Sequence, residues 1–66
     1  PPLPPRQRQT LNLLIHGHSR NEIAHRLRIS VHTVGDYIKA IYSHFGVQSR
    51  AELMSRFPGE LPPHIT

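Results

Sequence analysis

The sequence predicts an all-α fold, a four-helix bundle, from three observations. Apolar residues recur at intervals of three and four, the period of a helix. Capping serines and terminating glycines at Gly17–Ser19, Ser30 and Gly46–Ser49 divide the chain into four short segments. No stretch alternates apolar and polar residues in the two-residue period of a half-buried strand, and no segment repeats.

The chain opens on Pro1-Pro2-Leu3-Pro4-Pro5. Proline fixes φ and lacks an N–H, so residues 1–5 are expected to be extended, the end of a linker that abuts a helix start. The first helix is expected over about 6–16, with Leu11, Leu14 and Ile15 as its apolar stripe and Thr10 on the flank. Gly17 stops it. Ser19 with Glu22 three residues on forms a capping box and starts a second helix over about 20–28. That helix turns Ile23, Ala24 and Leu27 inward, and Ile29 follows as an apolar plug. Ser30 caps a third helix over about 31–44, ended by Gly46 with Val47 closing the hydrophobic contact. Ser49 and Glu52 make a second capping box for a fourth helix over about 50–57, carrying Leu53, Met54 and Phe57. Pro58-Gly59 terminates it, and residues 58–66 are expected to form a flexible tail.

Sixty-six residues allow one small domain, which buries about 60% of its unfolded surface. There is no cysteine, which removes disulfide and thiolate-metal staples. No apolar run approaches the ~20 residues of a membrane span. A first residue that is proline rather than methionine points to a piece of a longer protein. Eight basic residues against four acidic ones give a net charge of +4. A polyanion partner and an ordinary solvated basic surface both fit that balance.

The third segment is the most informative. Val34, Ile38, Ile41 and Phe45 form a dry line, while His32, Gly35, Asp36, Lys39 and Ser43 fall on the other side. A short helix, a tight turn and a second helix with one apolar and one polar face make a helix-turn-helix, which presents its second helix to a DNA groove.

The run Gly17-His18-Ser19-Arg20-Asn21-Glu22-Ile23-Ala24, then Leu27, Ile29-Ser30, Thr33-Val34 and Phe45-Gly46-Val47-Gln48-Ser49-Arg50-Ala51-Glu52-Leu53 resembles the LuxR/FixJ-type DNA-binding domain. Leu3 to Leu11 looks like that domain's opening segment, so the resemblance covers about Leu3 to Phe57. It implies the C-terminal output module of a quorum-sensing or two-component response regulator, a bacterial cytoplasmic protein working at the nucleoid. It also implies a four-helix fold whose third helix enters the major groove and whose fourth carries a dimer contact. The chain departs from the family pattern at Gly35, where lysine is usual, at Tyr37, often histidine, at Gln7 and Gln9, usually glutamates, and at Arg20-Asn21, usually Asn-Lys.

The expected DNA-contacting residues are Arg20, Ser30, His32, Thr33, Gly35, Asp36, Tyr37, Lys39 and Arg50. Lys39 can reach a phosphate or a guanine edge, and Asp36 can accept from cytosine N4. Ser30, His32 and Thr33 stand at the positive end of the third helix, where free N–H groups suit a phosphate. Gly35 allows close approach of the backbone, Tyr37 offers a hydroxyl, and Arg20 reaches backbone across the groove. Arg50, unfavourable to its own helix dipole, has either an internal partner or a phosphate. Leu53, Met54 and Phe57 are the expected dimer contact, with the core as the other option. The expected partners are double-stranded DNA and a second copy of the chain, with RNA polymerase as a candidate contact.

Three other readings compete with this one. His16, His18 and His25 suggest a metal cluster only weakly, without cysteine or converging acids. No nucleophile–base pair or phosphate loop supports an enzyme, and no cofactor is implied. The substantive alternative is a helical protein-interaction or dimerisation module with weak or no DNA binding, motivated by Gly35 and Asp36.

Overall fold

The computed structural model describes residues 3–58. The expectations for Pro1-Pro2 and for most of the tail, residues 59–66, lie outside the described residues. Four helices follow in order: α1 Pro5–Ile15, α2 Arg20–Leu27, α3 Val31–Phe45 and α4 Arg50–Ser55. Among the described residues there is no strand.

α1 starts one residue before the expected boundary, because Pro5 is its first residue. Proline suits that place, since its missing N–H would have no helical partner and its φ is preset. Along α1, Thr10 is fully buried and its hydroxyl donates to the Arg6 carbonyl at 2.9 Å. α1 ends at Ile15, so His16 closes the helix from outside it. Gly17, at φ 90°, lets the His18 N–H reach back to the Leu13 carbonyl at 3.0 Å.

α2 begins with the expected capping box. The Ser19 hydroxyl accepts from the Glu22 N–H, and the Glu22 carboxylate accepts from the Ser19 N–H at 2.8 Å. α3 is capped by Ser30, whose hydroxyl accepts from the Thr33 N–H at 3.0 Å. It closes through Gly46 at φ 66°, with the Val47 N–H donating to the Tyr42 carbonyl. α4 is shorter than expected, ending at Ser55 rather than Phe57. Pro58 disfavours a helical conformation at the residue before it, which stops the helix early.

The core joins all four helices. Leu14 of α1, Ile23 of α2, Val34, Ile38 and Ile41 of α3 and Leu53 of α4 are buried together with Val47. α3 is the central element, packed by both α1 and α2. Its dry line is as expected at Val34, Ile38 and Ile41, while Phe45 is half-buried at the helix end. There its ring meets Phe57 edge to face, with centroids 5.4 Å apart.

Candidate nucleic-acid interface

α2 and α3 are joined by Arg28, Ile29 and Ser30. This short link makes the pair a helix-turn-helix. Arg28 takes the left-handed conformation, φ 57° and ψ 46°. The Ile29 N–H then reaches the Ala24 carbonyl at 3.1 Å, closing α2 as a glycine would. The chain is thereby turned sharply enough for Ser30 to cap α3.

The turn brings the first residue of α2 against the outer side of α3. A shallow groove of about 410 Å³ lies between them, with Arg20 on the α2 side. Its α3 side consists of two parallel rows at intervals of four, three and four, both on one face of the helix. One row is apolar: Val31, Gly35, Ile38 and Tyr42. The other is polar: His32, Asp36 and Lys39 line the groove, and Ser43, exposed, continues the row.

Five of the nine expected DNA-contacting residues therefore share one surface: Arg20, His32, Gly35, Asp36 and Lys39. His32 Nε2 lies 3.9 Å from Asp36 Oδ2, and both side chains are open to solvent. The pair attracts only when His32 is protonated, so with neutral histidines Asp36 offsets Lys39 on the α3 face. Arg20 supplies the groove's remaining positive charge.

The other four expected residues are placed differently. The Ser30 and Thr33 hydroxyls lie 2.9 Å apart at the start of α3, engaged in the local cap. Tyr37 falls outside the groove. At about 100° per residue it stands roughly 140° round the helix from the centre of the polar row. The tyrosine that does line the groove is Tyr42. Its signal in the sequence was the eleven-residue offset from Val31, which shares its row. Arg50 is taken up inside the fold: one guanidinium nitrogen donates to the Leu14 carbonyl at 2.8 Å and to the His18 carbonyl at 2.6 Å. Of the two roles open to Arg50, the internal one is formed.

The expected dimer residues also divide. Leu53 has no exposed surface and belongs to the core. It cannot meet a second chain without unfolding its own, so its assignment to a dimer contact is corrected. Met54 and Phe57 are half-buried and retain some exposed apolar surface.

Two further features complete the electrostatics. The Ser19 N–H, donating to the Glu22 carboxylate, holds Glu22 below the usual carboxylate value, with His18 and Arg26 adding smaller favourable charge. The His18 ring lies 3.7 Å from the same carboxylate. A separate hollow on the outer side of α2 is lined by Asn21, Glu22, His25 and Arg26. All four come from one helix, and among the described residues no second element walls it. Among the described residues no group of three or more His, Asp or Glu could hold a metal ion, and no helix is long and apolar enough to cross a membrane.

The GerE family profile, described as bacterial regulatory proteins of the luxR family, matches residues 1–57. The "Probable HTH-type transcriptional regulator GfsR" of Streptomyces halstedii is 37% identical over 57 residues, covering 86% of this chain and 24% of that protein. The chain thus spans about a quarter of the length of this curated relative. No solved structure matches the chain. The chain belongs to the luxR family of bacterial regulatory proteins and is a helix-turn-helix DNA-binding module of transcription regulation.

Proposed function

We propose that α3 enters the major groove of double-stranded DNA with its His32–Asp36–Lys39 row toward the base edges, while Arg20 holds the backbone alongside. The single observation that supports this is the groove that unites Arg20 of α2 with that row of α3. Lys39 is the strongest reader, able to donate to guanine O6 and N7; Asp36 accepts from a cytosine N4. The start of α3, with Ser30 and Thr33, receives a phosphate through its free N–H groups. Because Asp36 offsets Lys39, much of the affinity comes from phosphate contacts, and base contacts are few. DNA shape then contributes to preference.

In the whole protein this module serves a cytoplasmic regulator that binds as a homodimer, with Met54 of α4 and Phe57 just beyond it supplying contact. RNA polymerase is a candidate further partner. The reading is tested by selecting bound duplexes from a random pool with the 66-residue chain, then measuring affinity against salt. DNA binding predicts a steep fall in affinity with rising salt. Lys39→Ala should weaken the selected duplex by about 1–3 kcal/mol and relax the preference at one base position. If no duplex is bound at low salt, the helical interaction module without DNA binding is the correct reading.

A further inference from the structure

The apolar row of α3 has a missing rung. Val31, Gly35, Ile38 and Tyr42 follow one another along the groove, and at Gly35 there is no side chain. A Cβ built there meets nothing within 4 Å. Gly35 therefore neither relieves crowding nor, having an ordinary helical φ, serves a turn. What it creates is a notch one side chain wide, with Val31 at one end and Ile38 and Tyr42 at the other. Val31 is the one large hydrophobic residue exposed among the described residues, at 47%. Apolar side chains bound the notch, and the charged groups flanking it are Arg20 across the groove and Lys39 with Asp36 in the neighbouring row, which leaves a net positive charge.

A small apolar group carried by a polyanion fits these surroundings. In the DNA major groove the one apolar feature of the base edges is the C5-methyl group of thymine. We infer that the Val31–Gly35–Tyr42 notch receives a thymine methyl, making Val31 and Gly35 specificity-determining residues beside the polar reading row. This rests on the major-groove reading above and adds a base preference to it. Tyr42 and Ile38 form the far wall, and Lys39 fixes the register by bonding in the adjoining row.

The test uses a duplex selected from a random pool by the 66-residue chain at low salt, and copies in which each thymine in turn is replaced by deoxyuridine. Uracil differs from thymine only by the methyl. At one thymine per site the replacement should weaken binding about fourfold, the worth of one buried methyl. Gly35→Leu, which fills the notch, and Val31→Ala, which removes its wall, should each bind the thymine and uracil duplexes equally. Circular dichroism melts should show both variants folded, since both positions face solvent or the open groove. Binding that is indifferent to uracil at every position overturns the notch while leaving the DNA-binding reading intact. A thymine preference that survives undiminished in both variants also overturns it. Failure to bind any duplex overturns both.

Discussion

Arg28 closes α2 in the left-handed region, at φ 57° and ψ 46°, where a side chain with a Cβ is strained by about 1 kcal/mol or more. The other two left-handed closures belong to Gly17 and Gly46, the residue type that adopts this conformation without strain. Arg28→Gly should therefore raise stability by about 1 kcal/mol, read as a melting temperature higher by roughly 4–8 °C. An unchanged or lower melting temperature would show that the arginine side chain gains enough elsewhere to offset the strain. Glu22 carries a pH consequence. Its carboxylate is held below 4.5, first by the Ser19 N–H. A lowered folded-state value contributes stability that is complete above the unfolded value and is lost as pH falls through the folded one. Glu22→Gln keeps an acceptor for Ser19 but not the charge. Chemical denaturation from about pH 5 downward should show a shallower loss of stability in the variant than in the parent chain.

At the scale of elements, α4 is held by one long-range contact that local sequence does not reveal. Arg50 donates to carbonyls 36 and 32 residues away, at the end of α1 and in the loop that leads into α2. Removing a charged donor from part-buried carbonyls costs about 1.5–3 kcal/mol. Arg50→Ala should lower the melting temperature by roughly 10 °C, with DNA affinity unchanged for the fraction that remains folded. A variant that melts normally but binds DNA more weakly would restore Arg50 to the interface. The caps and stops were legible in the sequence because they are local: Ser19 with Glu22, Ser30 with Thr33 and Ser49 with Glu52 each act within one turn. The dry line of α3 was legible for the same reason. What was not legible depends on the phase of one helix against another. α3 offers two tyrosines, and only the position of α2 makes Tyr42 rather than Tyr37 the groove residue. Likewise, the apolar residues on and just after a six-residue α4 do not reveal which of them turns inward. Leu53 does, and Met54 and Phe57 do so only in part.

The described residues extend 31 × 26 × 18 Å. Half-sites one helical turn apart on DNA are separated by about 34–36 Å. Two copies fit side by side at that spacing across either of the module's two shorter dimensions. A duplex carrying two inverted copies of the selected site, centred one turn apart, should bind two chains with cooperative affinity. Inserting about half a turn of DNA, roughly 5 base pairs, places the copies on opposite faces and should abolish the cooperativity. Gel shift or sedimentation with the two duplexes distinguishes the outcomes, and equal cooperativity in both would count against a geometric dimer.

The vacant rung at Gly35 has a consequence for how this module can change. In most binding sites a new preference is acquired at some loss of stability, because the residues that read are also packed. A Cβ at Gly35 would meet nothing within 4 Å, and almost any replacement other than proline improves helix propensity, alanine by about 1 kcal/mol. Substitutions there can redirect the target while the domain becomes sturdier. A library randomised at this one codon should yield variants that differ in the duplexes they select and melt no lower than the parent, a position at which evolvability and robustness increase together.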